Sequence, residues 1–150
     1  MMRAWIVATL LVAPAAAAAQ KSDAPPVVVQ GLDTYMKAGG DSALNVWLGW
    51  WPPSDTAKVR ELRMFFSVVK GNFGEPRGYE VVANTSLGSR MRSTYVAIWF
   101  DQKPVYLTFH SYQSPQGEWH VLYLGGNSDV QKLWPADLLS ALELKGIANH

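Results

Sequence analysis

The sequence contains no cysteine, and this absence excludes several kinds of chemistry. Without a thiol there can be no disulfide, no zinc–thiolate site, no lipid attached at a cysteine and no thiol nucleophile. Charge is also scarce, because 13 basic and 12 acidic residues in a chain of 150 leave a formal net charge of +1. So small a charge provides no extended positive surface for a phosphate backbone, and we expect no nucleic-acid partner.

Apolar residues, by contrast, are abundant. They make up 49% of the chain, and seven of them are tryptophan, so the chain has enough apolar surface to bury a core and is not disordered. The length predicts one domain, because two domains of half this length would each bury a smaller fraction of their surface. The composition indicates an aromatic-rich globular domain and names no activity.

The first residues have the pattern of a secretory signal peptide. The basic residue Arg3 precedes the apolar run 4–19, which ends in three alanines directly before Gln20. A positive start, an apolar middle and small residues before the cleavage site are typical of such peptides. The run contains Pro14 and is shorter than the roughly 20 residues that an uncleaved anchor needs. We expect cleavage after Ala19, a secreted and periplasmic protein, and no membrane association afterwards.

The rest of the chain divides into a polar, proline-ended leader at 20–26, a single domain at 27–135 and a C-terminal helix or tail at 136–150.

Helical periodicity predicts helices at 27–37, at 41–50 and from Ser54 or Asp55 to Lys70. Alternating patterns then predict strands at 79–86, 90–101, 104–113 and 118–124. Short turns between strands favour hairpins, so we expect an α+β fold whose N-terminal helices pack on a curved, four-stranded antiparallel meander.

Two turns set the predicted register of the sheet. A two-residue loop after Asp101 pairs Ile98 with Leu107, and a four-residue turn at 114–117 pairs Phe109 with Leu122. Both pairings place aliphatic side chains on one face, which we expect the helices to cover. The face comprises Val96, Ile98, Phe100, Val105, Leu107, Phe109, Leu122 and Leu124.

The opposite face of the predicted sheet is aromatic with polar tips, whereas a solvated face should be polar. Its candidate binding residues are Tyr95, Trp99, Tyr106, His110, Tyr112, Trp119 and Tyr123, with Ala97, Thr108 and Val121 between them. Three occupants fit this face. A second copy of the chain fits because tyrosine and tryptophan are enriched in interfaces. A small apolar or sugar-like ligand is the second, and the chain's own segment after Leu124 is the third.

Few residues indicate catalysis. His110 and His120 fall on opposite faces of the predicted sheet, so they cannot form a metal pair, and no nucleophile-elbow motif occurs. Asp33 is the one acid on an otherwise apolar first helix, and with Tyr35 and Trp47 it is our candidate for lining a cavity between helices and sheet. We expect neither a metal nor a cofactor.

The order of elements resembles the nuclear-transport-factor-2-like (cystatin-like) superfamily, in particular its small secreted bacterial proteins of unknown function. The residues that carry the resemblance are Gly71-Asn72-Phe73-Gly74, Leu87-Gly88, 95–100, 117–121, Asn127-Ser128-Asp129 and Leu133-Trp134-Pro135. The resemblance implies an α+β cone. Its ketosteroid isomerases, scytalone dehydratase and polyketide cyclases need an acid or base inside the cone, while other members only bind or dimerise. No complete catalytic set carries over, and Asp33 and Tyr35 are the nearest candidates.

We therefore expect a secreted, non-enzymatic module that dimerises or binds a partner through its aromatic sheet face. The alternative is a small-molecule-binding protein, or an isomerase- or dehydratase-like enzyme, that uses the cone cavity.

The signal-peptide pattern can be tested by expressing the whole chain in a bacterial host. We expect the product in the periplasmic fraction with Gln20 as its first residue, because cleavage follows the small-residue pattern at 17–19. Mass spectrometry of the intact protein measures this directly. A periplasmic or cytoplasmic product that retains Arg3 would contradict it.

Overall fold

The computed structural model of the chain describes residues 23–144. The predicted signal peptide and residues 145–150 lie outside this range. Residues 23–26 of the predicted leader are packed against the domain, since Ala24 is buried and the Asp23 carbonyl accepts a hydrogen bond from Asn84 Nδ2. Between residues 23 and 144, no helix has the length and apolar character needed to cross a membrane.

The fold is α+β, as the sequence predicts, with helices first and an open antiparallel sheet in the order β1-β2-β3-β4. The elements are α1 (Pro26–Ala38), α2 (Gly40–Leu48), α3 (Thr56–Phe73), β1 (Gly78–Ser86), β2 (Met91–Trp99), β3 (Val105–Gln113), β4 (Trp119–Asn127) and α4 (Ala136–Leu144). Short 3₁₀ turns lie at Pro53–Asp55 and Val130–Lys132.

Glycines with positive φ end two of the helices. Gly39 (φ +82°) follows α1 and Gly74 (φ +80°) follows α3, and their N–H groups donate to the carbonyls of Tyr35 and Lys70. Only glycine adopts this left-handed region without strain, which is why helices commonly stop there. The helix predicted to end at Lys70 continues to Phe73, so Gly71 lies inside it.

The core lies between α1–α3 and one face of the sheet, around the fully buried Trp47. The Trp47 ring lies 5.1 Å from that of Phe109 on β3 and 5.9 Å from that of Phe66 on α3, centroid to centroid. Its Nε1 donates to the Val28 carbonyl at 3.2 Å. Gly31 packs directly on the indole, where any Cβ atom would overlap the ring. The buried residues of α3 are Leu62, Phe66 and Val69, at the spacing of one helix face.

The register between β2 and β3 differs from the prediction. Ile98 pairs with Val105 rather than Leu107, because the strands are joined by residues 100–104 and not by a two-residue loop. The shift is an even number of residues, so every side chain on β2 and β3 keeps its predicted face.

A β-bulge makes the β4 prediction wrong in part. Val121 pairs with Ser111 and Tyr123 pairs with His110, so Leu122 is an extra, unpaired residue. The bulge turns Val121, rather than Leu122, into the core, and Leu122 is 41% exposed. Turn lengths cannot reveal an inserted residue within a strand, and this one changes the side-chain alternation on its N-terminal side.

The same bulge moves Trp119 to the other face of the sheet. Trp119 pairs with Gln113, which by alternation shares the helix-facing side with Ser111. The guanidinium carbon of Arg92, also on that side, lies 5.8 Å from the centre of the Trp119 ring. Its predicted place on the aromatic face is therefore wrong.

The C-terminal segment covers part of the outer face, meaning the sheet face turned away from α1–α3. Trp134 packs edge-on against Tyr95 and Tyr106, with ring centroids 5.8 and 5.0 Å away. The buried members of this second cluster are Val82, Tyr95, Ala97, Trp134 and Leu142. Of the three occupants considered for the aromatic face, the chain's own terminal segment thus takes this part.

The contact between Gly31 and Trp47 gives a stability prediction with a matched control. Gly31→Ala should lower the free energy of unfolding by about 1–3 kcal/mol or more, because the added methyl meets an indole held between two other rings. Gly71→Ala, also in a helix but with open space around its Cβ position, should raise it by up to about 0.5–1 kcal/mol. Urea unfolding measures both, and equal effects of the two substitutions would contradict the prediction.

Candidate functional site

Beside the cluster formed by Trp134, Tyr95 and Tyr106, the outer face of the sheet carries another group of large side chains, which we name the open strip. It consists of Met91 on β2, His110 and Tyr112 on β3, and Leu122 and Tyr123 on β4. Leu122 and Tyr123 are 41% and 40% exposed, and the other three are half-buried. Exposed neighbouring apolar side chains on a sheet commonly mark a binding surface.

The centre of the open strip is a pair of aromatic rings that pack together at a tilt. The His110 and Tyr123 ring centroids are 5.2 Å apart with an interplanar angle of 32°. Gly125 permits this arrangement, since a Cβ atom there would overlap the Tyr123 hydroxyl. The tyrosine ring therefore lies over the backbone of its own strand and presents a flat aromatic surface to solvent.

A buried serine holds the imidazole in place. Ser93 Oγ and His110 Nδ1 are hydrogen-bonded at 2.8 Å, and Ser93 is only 2% exposed. A hydroxyl so deeply buried cannot meet a substrate, so the contact orients the ring and does not activate a nucleophile. Burial lowers the pKa of His110, which keeps the imidazole neutral at pH 7.

Two tryptophans close the free edge of β4 beside the open strip. The Val121 carbonyl accepts hydrogen bonds from Trp50 Nε1 at 2.9 Å and from Trp51 Nε1 at 2.6 Å. The Trp50 ring also packs at a tilt against His120, with centroids 4.8 Å apart. An edge strand covered in this way is not open to pairing with another strand at that point.

The remaining residues of the predicted aromatic face lie elsewhere. Tyr95 and Tyr106 are beneath Trp134, and burial, together with the nearby charge of Asp129, raises the pKa of Tyr106. Trp99 lies at the far end of the outer face, where β2 ends. The structure therefore brings together His110, Tyr112 and Tyr123 from the predicted set and separates the other four.

The three candidate cavity residues do not surround a common space. Trp47 is fully buried and fills the region between helices and sheet that the prediction assigned to a ligand. The Asp33 carboxylate accepts a hydrogen bond from the Tyr79 hydroxyl on β1 at 2.7 Å. Tyr35 opens instead onto a pocket among helix ends, and Asp33 onto a separate groove along α1.

The sequence did not predict that Leu122 lies on the binding surface, or that Trp50 and Trp51 cover the β4 edge. Leu122 becomes a surface residue only through the bulge, which leaves no composition signal. Within residues 23–144, no three His, Asp or Glu side chains come together in a group that could hold a metal ion.

Comparisons with protein families, with curated proteins and with solved structures give no significant match to this chain. Its function must therefore be inferred from the geometry of the open strip and the pockets.

The environment of His110 predicts a pH dependence of stability. Its folded pKa lies below the unfolded value of about 6.5, so the unfolded chain takes up the proton first as the pH falls. The stability that this group contributes is complete above about pH 6.5 and declines as the pH falls from there toward the folded pKa. Urea unfolding between about pH 8 and about pH 5 should show a smaller decline for His110→Asn than for the unmodified chain. An NMR titration midpoint for His110 at or above about 6.5 would contradict this.

Proposed function

We propose that this chain is a non-enzymatic binding module that forms a symmetric homodimer through the open strip. The observation that carries the proposal is the β4 bulge, which leaves Leu122 and Tyr123, two successive large apolar residues, exposed beside the His110 ring. Bulges commonly redirect side chains at functional surfaces, and here the redirected residues are of the types that anchor interfaces.

The chemistry of the open strip suits burial against another protein. None of its five side chains carries a charge at pH 7, because the pKa of its only titratable imidazole is lowered. Covering the strip would therefore not require removing an ion from water, which is the largest cost in forming an apolar interface. The tyrosines provide broad apolar rings and hydroxyl groups that can hydrogen-bond at the margin.

A second copy of the same chain is the occupant that the surroundings favour. Arg90 and Glu118 are both exposed and directly precede β2 and β4, at the end of the sheet where the strip lies. In a two-fold interface each patch meets its own copy, so a rim with both signs allows Arg90 of one copy to approach Glu118 of the other. Loss of residues 1–19 removes only Arg3, which leaves 12 basic and 12 acidic residues and no net repulsion between copies.

We also propose that the protein is secreted, periplasmic in a bacterium, and a member of the nuclear-transport-factor-2-like superfamily. The signal-peptide pattern at 1–19 supports the location, and the sequence of three helices followed by a four-stranded antiparallel meander supports the family. The alternative of a ligand site or catalytic centre inside a cone is disfavoured, because Trp47 and Phe109 fill that interior.

The dimer can be tested by size-exclusion chromatography with light scattering over a range of protein concentrations. We expect the mass of two chains for the unmodified protein and of one chain for Tyr123→Lys, since a lysine at the centre of the strip would be buried without a partner. Leu122→Lys should act in the same direction.

Met64→Lys is the matched control for this experiment. Met64 is 62% exposed on α3, on the helical side of the molecule, so its substitution adds the same charge without touching the strip. It should leave the dimer intact. A single-chain mass for the unmodified protein at every concentration, or equal loss of the dimer in Met64→Lys, would overturn the proposed function.

A further inference from the structure

A pocket of about 250 Å³ lies on the helical side of the molecule, away from the open strip. It forms where the end of α1, the start of α2, the last turns of α3 and the segment after α3 meet. Its titratable lining residues are Tyr35, Asp41, Arg63, Lys70 and Glu75. Its volume is below the roughly 300–1,000 Å³ typical of sites for drug-sized ligands, so it suits a molecule of about amino-acid size.

The floor of the pocket contains a polar group without a protein partner. Tyr35 is 4% exposed and lines the pocket, and its ring packs on Phe66 with centroids 5.2 Å apart. Within residues 23–144 its hydroxyl makes no hydrogen bond. Burial, aided by the charge of Glu75, raises the pKa of Tyr35 to about 12, so the hydroxyl keeps its proton and is a donor at neutral pH. The buried side-chain atoms of residues 23–144 that lack a partner are Thr108 Oγ1, Ser111 Oγ and Trp134 Nε1, and the Tyr35 hydroxyl is not one of them. It is reached from the pocket, where it can donate to a ligand acceptor.

The charged groups around the pocket are balanced. Arg63 pairs with Asp41 at 2.9 Å and Lys70 pairs with Glu75 at 2.7 Å, and all four side chains are substantially exposed. Exposed ion pairs contribute little to stability, so a ligand can replace one partner at low cost. Two cations and two anions leave no net charge for a singly charged ligand to neutralise.

The helix ends around the pocket carry partial charges of opposite sign. The first turn of α2 has no side-chain cap at Gly39, so the N–H groups at its start can donate hydrogen bonds to a carboxylate. The C-terminal ends of α1 and α3, at Ala38 and Gly74, have the opposite polarity and favour a cation. Gly40 has no side chain to block this approach, and a Cβ there would lie 2.6 Å from Phe66 Cβ.

From these observations we infer that the pocket binds a small zwitterion of amino-acid size, with its carboxylate near the start of α2 and Arg63 and an acceptor oxygen within reach of the Tyr35 hydroxyl. The ammonium lies near the C-terminal helix ends and Glu75. This inference does not depend on the proposed dimer, since the pocket and the open strip share no residue.

The test uses three probes of similar size on the purified chain: L-alanine with both charges, propionate with the negative charge only, and ethylammonium with the positive charge only. Each is titrated while the amide signals of Gly39, Gly40 and Gly74 are followed in ¹H–¹⁵N spectra. We expect saturable shifts with L-alanine, with a dissociation constant on the order of 1 mM or tighter, and at least tenfold weaker binding of the other two.

Tyr35→Phe removes only the hydroxyl and should weaken L-alanine binding about tenfold, which matches the loss of one buried hydrogen bond. Tyr112→Phe, which removes a hydroxyl on the open strip, is the matched control and should bind as the unmodified chain does. Urea unfolding of both variants shows whether either has lost its fold. Three results would overturn the inference: no saturable shift with L-alanine, unchanged binding in folded Tyr35→Phe, or propionate binding as tightly as L-alanine.

Discussion

The contact between the Trp47 indole and the bare backbone of Gly31 determines how the helices approach the sheet. Because Gly31 has no side chain, α1 can lie directly on the indole, and the same ring packs against Phe109 on β3. The Nε1 hydrogen bond to the Val28 carbonyl fixes the ring in that orientation and satisfies its only donor. The same side chain therefore joins α1 and α2 to the sheet and occupies the space where they meet.

The coarse architecture could be predicted because periodicity reports it directly. The helical period of α3 and the alternation along β2 identify the element type and the buried face, and neither depends on loop geometry. The β2–β3 register could not be obtained from turn length, yet its error left the faces unchanged because it was even. On β4 the inserted Leu122 changed the alternation, so Trp119 and Val121, both predicted for the aromatic face, lie on the helix-facing side.

Only part of the open strip could be predicted from the sequence. His110, Tyr112 and Tyr123 follow from alternation, because β3 pairs regularly with β2 and Tyr123 lies on the C-terminal side of the β4 bulge. That Trp134 would cover Tyr95 and Tyr106 was one of three alternatives and could not be selected, since the path of a chain after a strand depends on tertiary packing. The pocket at Tyr35 had no sequence signature beyond two adjacent glycines, and it arises from three helix ends that are distant in sequence.

The covering segment also has a consequence for the order in which the protein can fold. Trp134 and Leu142 follow every strand of the sheet in the chain, so they are synthesised after all of them. Until they arrive, Val82, Tyr95 and Ala97 have no cover, and the nascent sheet presents apolar surface on its outer side as well as toward the helices. Completion of this face is therefore a late step, and a chain that stops before Trp134 would keep its helical core but expose a second apolar surface prone to association.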